Sequence, residues 1–183
     1  MSQPLLSIGV ITIAGLLAFG VLGCEGNADS QSGGLETVRR EGEPDLVRSQ
    51  NNELLDRARL KAQATYLDFV AALSQPQPQQ SGFAIKKPFP TPAGSLEHIW
   101  INELTWNGTQ FEGVVNNEPV DTTAVALGER VTIAPTELSD WMYLDGDKLQ
   151  GGYTIRALTS EMTPSERKEF GEQNGMVVPP VDF

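Results

Sequence analysis

Three observations in the sequence predict an α+β protein. Apolar residues recur at steps of three and four across residues 52–73, the signature of a helix with one buried face. From residue 83 to residue 158 the period shortens to two, and the runs are punctuated by Asn107-Gly108 and Asp145-Gly146. A helix start, Thr163-Pro164-Ser165-Glu166, follows only after the last strand signal. Helices at the two ends of a strand-rich middle, rather than alternating with strands, place the strands in one antiparallel sheet. The expected architecture is a strongly twisted antiparallel sheet of five or six strands, with an N-terminal amphipathic helix packed on it and a short C-terminal helix.

Two segments precede the first helix. Residues 1–23 read as a lipoprotein signal peptide: no charge interrupts Leu5 to Leu22, so the run enters hydrocarbon without the cost of a buried ion. Val21-Leu22-Gly23-Cys24 reads as a lipobox, in which a small residue precedes the cut and the cysteine receives lipid. Cys24 is the sole cysteine of the chain. The run also meets the lower limit for a spanning helix, about 17 residues. No Lys or Arg precedes it, which leaves an uncleaved N-terminal helix as the alternative. Either way the protein is expected on a membrane, outside the cytoplasm, at the periplasmic face or the cell surface. Residues 24–51 are rich in Gly, Ser, Glu and Arg and bury too little apolar surface to offset the entropy of ordering. They read as a flexible tether.

The first helix is expected from Asn52, a good N-cap, to Leu73. Leu55, Ala58, Ala62, Tyr66, Phe69 and Leu73 form its apolar stripe. Glu53, Asp56, Arg57, Arg59, Lys61 and Asp68 lie opposite, and such mixed charge suits packing on a sheet better than lying on lipid. Pro76 and Pro78 end it by removing donors and forbidding helical residues before them.

Strands follow. Residues 83–87 alternate, and residues 96–104 alternate while keeping apolar side chains on both faces, as a central strand does. Asn107-Gly108 predicts a tight hairpin with positive φ at both central positions, returning through 111–115. A strand over roughly 129–134 comes next, then 138–144, joined through Asp145-Gly146 to a strand running from Lys148 to Leu158. The expected connectivity is a meander. Thr163 to Glu166 then forms a capping box with Pro at the first helical position, and Asn174-Gly175 stops that helix. The tail from Met176 is expected extended, docked on the sheet or loose. The resulting organisation is 1–23 signal peptide, 24–51 tether, 52–160 α+β domain and 161–183 C-terminal helix and tail.

Composition and motifs narrow the chemistry. A formal charge of −11 excludes a phosphate-backbone partner such as nucleic acid, which is bound by surplus Lys and Arg. His98 is the only histidine, so no histidine cluster holds zinc, and a structural, hydrogen-bonded role is expected for it. Asp145-Gly146-Asp147 opens like a calcium loop but has Arg156 where a glutamate is needed. No metal or cofactor is expected. GxSxG, HExxH and phosphate-cradling glycine loops are missing. Lys86-Lys87-Pro88 reads as a solvated strand end, or else as a receiver of a carboxylate or phosphate. Asp140 and Arg156 face each other in the expected hairpin as an ion pair. Trp100, Trp106, Trp141, Tyr143 and Tyr153 serve either a core or a ligand surface.

Glu97-His98-x-Trp100, Phe111-x-Gly113-x-x-x-Asn117-x-Pro119, Asp140-Trp141-Met142-Tyr143 and Gly151-x-Tyr153-Thr154-x-Arg156 together carry a resemblance. From Phe83 to Leu158, with the preceding helix included, the chain is similar to the bacterial domain-of-unknown-function family 2314, also called YegJ-like. The resemblance implies a small α+β domain, sometimes behind a signal sequence, and no catalytic residues to carry over. The expected function is that of a cell-envelope lipoprotein, anchored through Cys24. Its domain is a non-enzymatic binding or interaction module using Trp100, Asp140, Trp141, Tyr143 and Arg156 toward a protein or small ligand. The alternative is a carboxylate-dependent enzyme with Glu97, Glu103 or Asp140 as acid or base and His98 assisting.

Overall fold

The computed structural model describes residues 35–38, 46–49 and 52–183, the first two stretches and Asn52 as backbone only. The expected signal peptide, Cys24, most of the expected tether and the side chain of Asn52, expected to cap the first helix, lie outside the described residues. Within the tether segment, strands β1 (Leu35–Val38) and β2 (Leu46–Ser49) pair as an antiparallel ribbon.

The expected first helix is two helices, α1 (Asn52–Ala64) and α2 (Tyr66–Ser74). They part at Thr65, whose Oγ1 donates to the Lys61 carbonyl at 2.8 Å and lies 3.1 Å from the Tyr153 hydroxyl. A hydroxyl bonded back to the preceding turn bends a helix. The apolar stripe survives the break: Ala58, Ala62 and Phe69 are fully buried.

Six antiparallel strands follow: β3 (Gln80–Pro90), β4 (Leu96–Trp106), β5 (Phe111–Val115), β6 (Arg130–Ile133), β7 (Asp140–Asp145) and β8 (Lys148–Gly151). Their spatial order is β6-β5-β4-β3-β7-β8, with β4 interior as its two apolar faces require. The simple meander holds only through β6. A single 3₁₀ turn, Pro135–Glu137, then sends the chain back across the sheet, and β7 pairs with the far side of β3. The physical reason lies in the two candidate neighbours. β6 is short, with two of its four residues exposed, whereas β3 is long and carries the buried Ile85 and Phe89, so leaving β3 unpaired on one side would strand a longer row of backbone donors.

One face of the sheet presents Ile85, Ile99, Ile101, Phe111, Ile133 and Trp141 to Ala58, Ala62 and Phe69 of the helices. The other face carries a smaller cluster, Ala84, Met142, Leu149, Ile155 and Met176, with Trp100 and Phe170 against it.

Both hairpins form, with differences in detail. The first has a four-residue loop between Trp106 and Phe111, and φ is positive at Gly108 but not at Asn107. Asn107 contributes through its side chain instead: Oδ1 accepts from Thr109 N and Oγ1 and from Gln110 N, each at 3.0 Å. The second hairpin turns tightly through Gly146-Asp147 between the paired Asp145 and Lys148. Its second strand stops at Gly151. Residues expected to continue it form helix α3 (Tyr153–Ser160), a correction to the sequence reading. Tyr153, Ile155 and Ala157 alternate in sequence as a strand would. In the helix, Tyr153 and Ala157 face the larger cluster and Ile155 the smaller, so burial on two sides imitates period two.

Helix α4 (Pro164–Asn174) carries the predicted capping box, Thr163 N donating to Glu166 Oε2 at 2.8 Å and Glu166 N to Thr163 Oγ1 at 3.3 Å, and ends at left-handed Gly175. The tail is docked: Val177 bridges Lys148 in parallel, with Val177 N to Asp147 O at 2.7 Å and Leu149 N to Val177 O at 3.1 Å.

Candidate functional site

Two clusters hold most of the residues singled out in the sequence, on opposite sides of the β7 backbone. The first is a buried corner around Asp140, which is 0% exposed. Gly151 and Gly152 both have positive φ, 64° and 59°, and turn the chain from β8 into α3. A Cβ at Gly151 would lie 2.3 Å from the Trp141 carbonyl oxygen, so glycine there is required by space as well as by φ. This turn brings the first N–H groups of α3 onto the Asp140 carboxylate. Oδ1 accepts from Trp141 N at 2.9 Å and Tyr153 N at 3.1 Å; Oδ2 accepts from Thr154 N at 2.8 Å and Thr154 Oγ1 at 2.6 Å. A side chain from another strand therefore performs the capping that Gly152 lacks a side chain to do. Burial raises the Asp140 pKa from its ordinary value, opposed by the Thr154 hydroxyl and the charge of Lys86. Lys86, its cross-strand partner, has its pKa lowered by burial, opposed by Asp140. Its Nζ lies 3.5 Å from Thr154 Oγ1 and 5.1 Å from the Trp100 ring centre.

His98 extends this corner. Its Nδ1 is 2.9 Å from Ser139 Oγ, which donates to the Lys86 carbonyl at 3.0 Å. Burial, and then the positive charges of Lys86 and Arg59, hold the imidazole pKa down at about 4. The imidazole is thus held neutral at ordinary pH, hydrogen-bonded to Ser139.

The second cluster is a cleft of about 500 Å³ lined by Trp141, Tyr143, Tyr153, Lys148, Arg156 and Asp182, among others. Trp141 forms its base and anchors α1, donating from Nε1 to the Ala62 carbonyl at 3.1 Å. Tyr143 stacks at 4.9 Å on Phe83, and the Tyr153 ring meets Trp141 edge-on at 5.6 Å. Arg156 belongs to α3 rather than to a strand and does not pair with Asp140; that expectation is corrected. Its guanidinium lies over Tyr153 at 5.3 Å, donates from Nε to the Pro180 carbonyl at 3.3 Å, and pairs through Nη2 with Asp182 at 3.1 Å.

The structure thus joins Trp141, Tyr143 and Arg156 and sets Asp140 and Trp100 apart from them. Reasoning from sequence named Tyr153 only as core or ligand surface, and missed Thr154 in the Asp140 corner, Lys148 as a rim residue and Asp182 as the partner of Arg156. Tyr153 and Thr154 were visible as motif positions; nothing in the sequence links Asp182 to Arg156.

Most of the remaining candidates hold backbone in place. Glu97 accepts from the backbone N–H groups of Val120, Asp121 and Thr122 at 2.7–2.8 Å, pinning the loop after β5. Asn117 Oδ1 accepts from Trp100 N at 3.0 Å. A Cβ at Gly113 would meet the Asn102 carbonyl at 2.6 Å, where β4 bulges against β5. Glu103 sits in that bulge, exposed, with φ 49°. Lys87 pairs with Glu137 at 2.9 Å, whereas Lys86 reaches the Thr154 hydroxyl and only feels the charge of Asp140. Among the described residues no group of His, Cys, Asp and Glu is arranged to hold a metal ion, and no helix is long and apolar enough to cross a membrane.

Residues 52–178 match the family described as "Uncharacterized protein conserved in bacteria (DUF2314)". The chain is 40% identical over 88 residues to the uncharacterized protein YegJ of Escherichia coli (strain K12), which covers 48% of this chain and 57% of that protein. It is 41% identical over 73 residues to a putative ankyrin repeat protein of Neisseria meningitidis serogroup B, covering 40% of this chain and 29% of that protein. The chain thus spans less than two thirds of the length of these relatives. No solved structure matches it. The match extends over more than half of the chain, and the chain belongs to the DUF2314 family.

Proposed function

We propose that this DUF2314 member is an envelope lipoprotein, moored through Cys24, whose folded domain is a non-enzymatic module that binds a protein partner in the Arg156 cleft. The observation that carries the binding role is the contrast in how polar groups are used. Glu97 and Asp140 are occupied by backbone donors, which leaves the carboxylate-enzyme reading without a free acid or base at either position. Arg156, among the described residues, has only the Pro180 carbonyl and Asp182 as polar partners, and it opens on a cleft walled by aromatic rings. Aromatic and arginine side chains are those that dominate protein interfaces.

A photo-crosslinking residue at Lys148, on the exposed rim of the cleft, is expected to capture a discrete partner in intact cells, and the same residue at the exposed Glu118 is not. Equal capture from both positions, or none from Lys148, would discard the cleft as the binding surface. The anchor has its own test: Cys24→Ala abolishes incorporation of labelled fatty acid, and undiminished labelling of that variant would refute the lipobox.

A further inference from the structure

The groove between the β8 edge and Arg156 is occupied by the chain's own C-terminal segment, and we propose that this segment is a displaceable placeholder. On this proposal the partner engages the groove as an extended peptide strand bearing a carboxylate side chain next to an aromatic one. The proposal rests on the binding reading above and supplies its chemistry.

The occupant displays the chemistry directly. Val177 joins the edge of β8 through two main-chain bonds. Asp182 meets Arg156 at 3.1 Å. The Phe183 ring meets Tyr153 edge-on at 5.4 Å and lies 6.0 Å from the Arg156 guanidinium. Strand addition for affinity, with side-chain pockets for selection, is a recurring way to bind a peptide.

Met176 anchors the segment in the smaller core cluster, but the residues beyond Val178 are held by few contacts. Pro179 has no N–H, so the ladder that Val177 opens cannot continue to the next position. Asp182 is 64% exposed, and an ion pair with one partner in water contributes little. Phe183 is half-buried. A partner strand with an ordinary residue in place of Pro179 would gain the missing main-chain bond while reproducing the contacts to Arg156 and Tyr153. With the tail displaced, Lys148, Arg156 and the adjacent Arg57, which donates to the Phe183 carbonyl, face one carboxylate of the lining, Asp68, and this balance favours an acidic strand over a basic one.

The test uses the full chain in detergent and a fluorescently labelled octapeptide, Met-Val-Val-Ala-Pro-Val-Asp-Phe, which copies residues 176–183 with Pro179→Ala. Affinity is measured by anisotropy for the wild-type chain and for the double variant Asp182→Asn, Phe183→Ala, with thermal melts to establish that the variant is folded. The peptide is expected to bind the double variant saturably and about tenfold or more tighter than the wild type. Replacing its aspartate by asparagine should weaken binding by about threefold, the scale of an ion pair with one exposed member. Equal affinity for both chains, or indifference to the aspartate, overturns the proposal. If the peptide fails on both chains while Lys148 still captures its partner in cells, the ligand chemistry is wrong and the binding module stands; if both fail, both readings fall. A wild-type dimer that the double variant loses would assign the groove to a second copy's tail and equally overturn the partner proposed here.

Discussion

The Asp140 corner and the Arg156 cleft are reached by residues two positions apart on one helix, yet they treat charge in opposite ways. Asp140 is fully buried and accepts four bonds, three from backbone N–H groups. Its capacity is spent on starting α3 and tying that helix to β7. Arg156 is almost as buried, 8% exposed, but its partners are the last residues of a tail that only Val177 ladders onto the sheet. A buried charge saturated by backbone is architecture; one matched by an exposed carboxylate and a single carbonyl of the tail is the feature on which the binding proposal rests.

The largest expected effect comes from breaking the first region. Asp140→Ala should cost about 3–5 kcal/mol in chemical denaturation, because it leaves the buried N–H groups of Trp141, Tyr153 and Thr154 without their acceptor and removes the negative charge that offsets Lys86. A loss under about 1 kcal/mol would mean that water replaces the carboxylate and that the corner is no more closed than the cleft.

His98 sharpens the same side through pH. Its imidazole is held near pKa 4, below the ordinary 6.5, so the unfolded chain binds a proton that the folded chain refuses between those values. Its contribution is fully present above pH 6.5 and is lost as pH falls toward 4. After discounting for partial exposure, the loss should be about 2 kcal/mol. Unfolding free energies at pH 7 and pH 4.5 should differ less in His98→Gln than in the wild type; an identical difference would remove His98 from the corner's energetics.

The smallest stability effect is expected in the second region. Asp182→Asn should cost less than about 1 kcal/mol, since the lost pair has one exposed member. A loss above about 2 kcal/mol would make the tail part of the architecture and erase the distinction between the two regions.

Local signals foretold much of this molecule. The stripe through Ala58, Ala62 and Phe69, the interior position of β4, the return strand at 111–115 and the capping box at Thr163 are all governed by neighbours in sequence, and the structure has each of them. The Asn107 turn was legible as a hairpin but not in mechanism, because a side-chain oxygen does the work expected of a left-handed backbone. Helix α3 was not legible at all. Its alternation reads as a strand, and the acceptor that fixes its start, Asp140, lies on another element. The candidate site divided the same way: Trp141, Tyr143 and Arg156 were named together, while Asp140 and Trp100 were grouped with them without any local means of knowing which face each occupies.

Periodicity, turn chemistry and capping act over a few residues, and from them the sequence by itself determined the α+β class, most strand positions, the second hairpin and the last helix. Only the tertiary structure decided that β7 returns to β3 rather than following β6, that the chain after Gly151 coils, and that Asp182 comes to rest on Arg156. Each of these depends on partners distant in sequence, where the outcome is set by which buried donors and apolar faces would otherwise go unmatched.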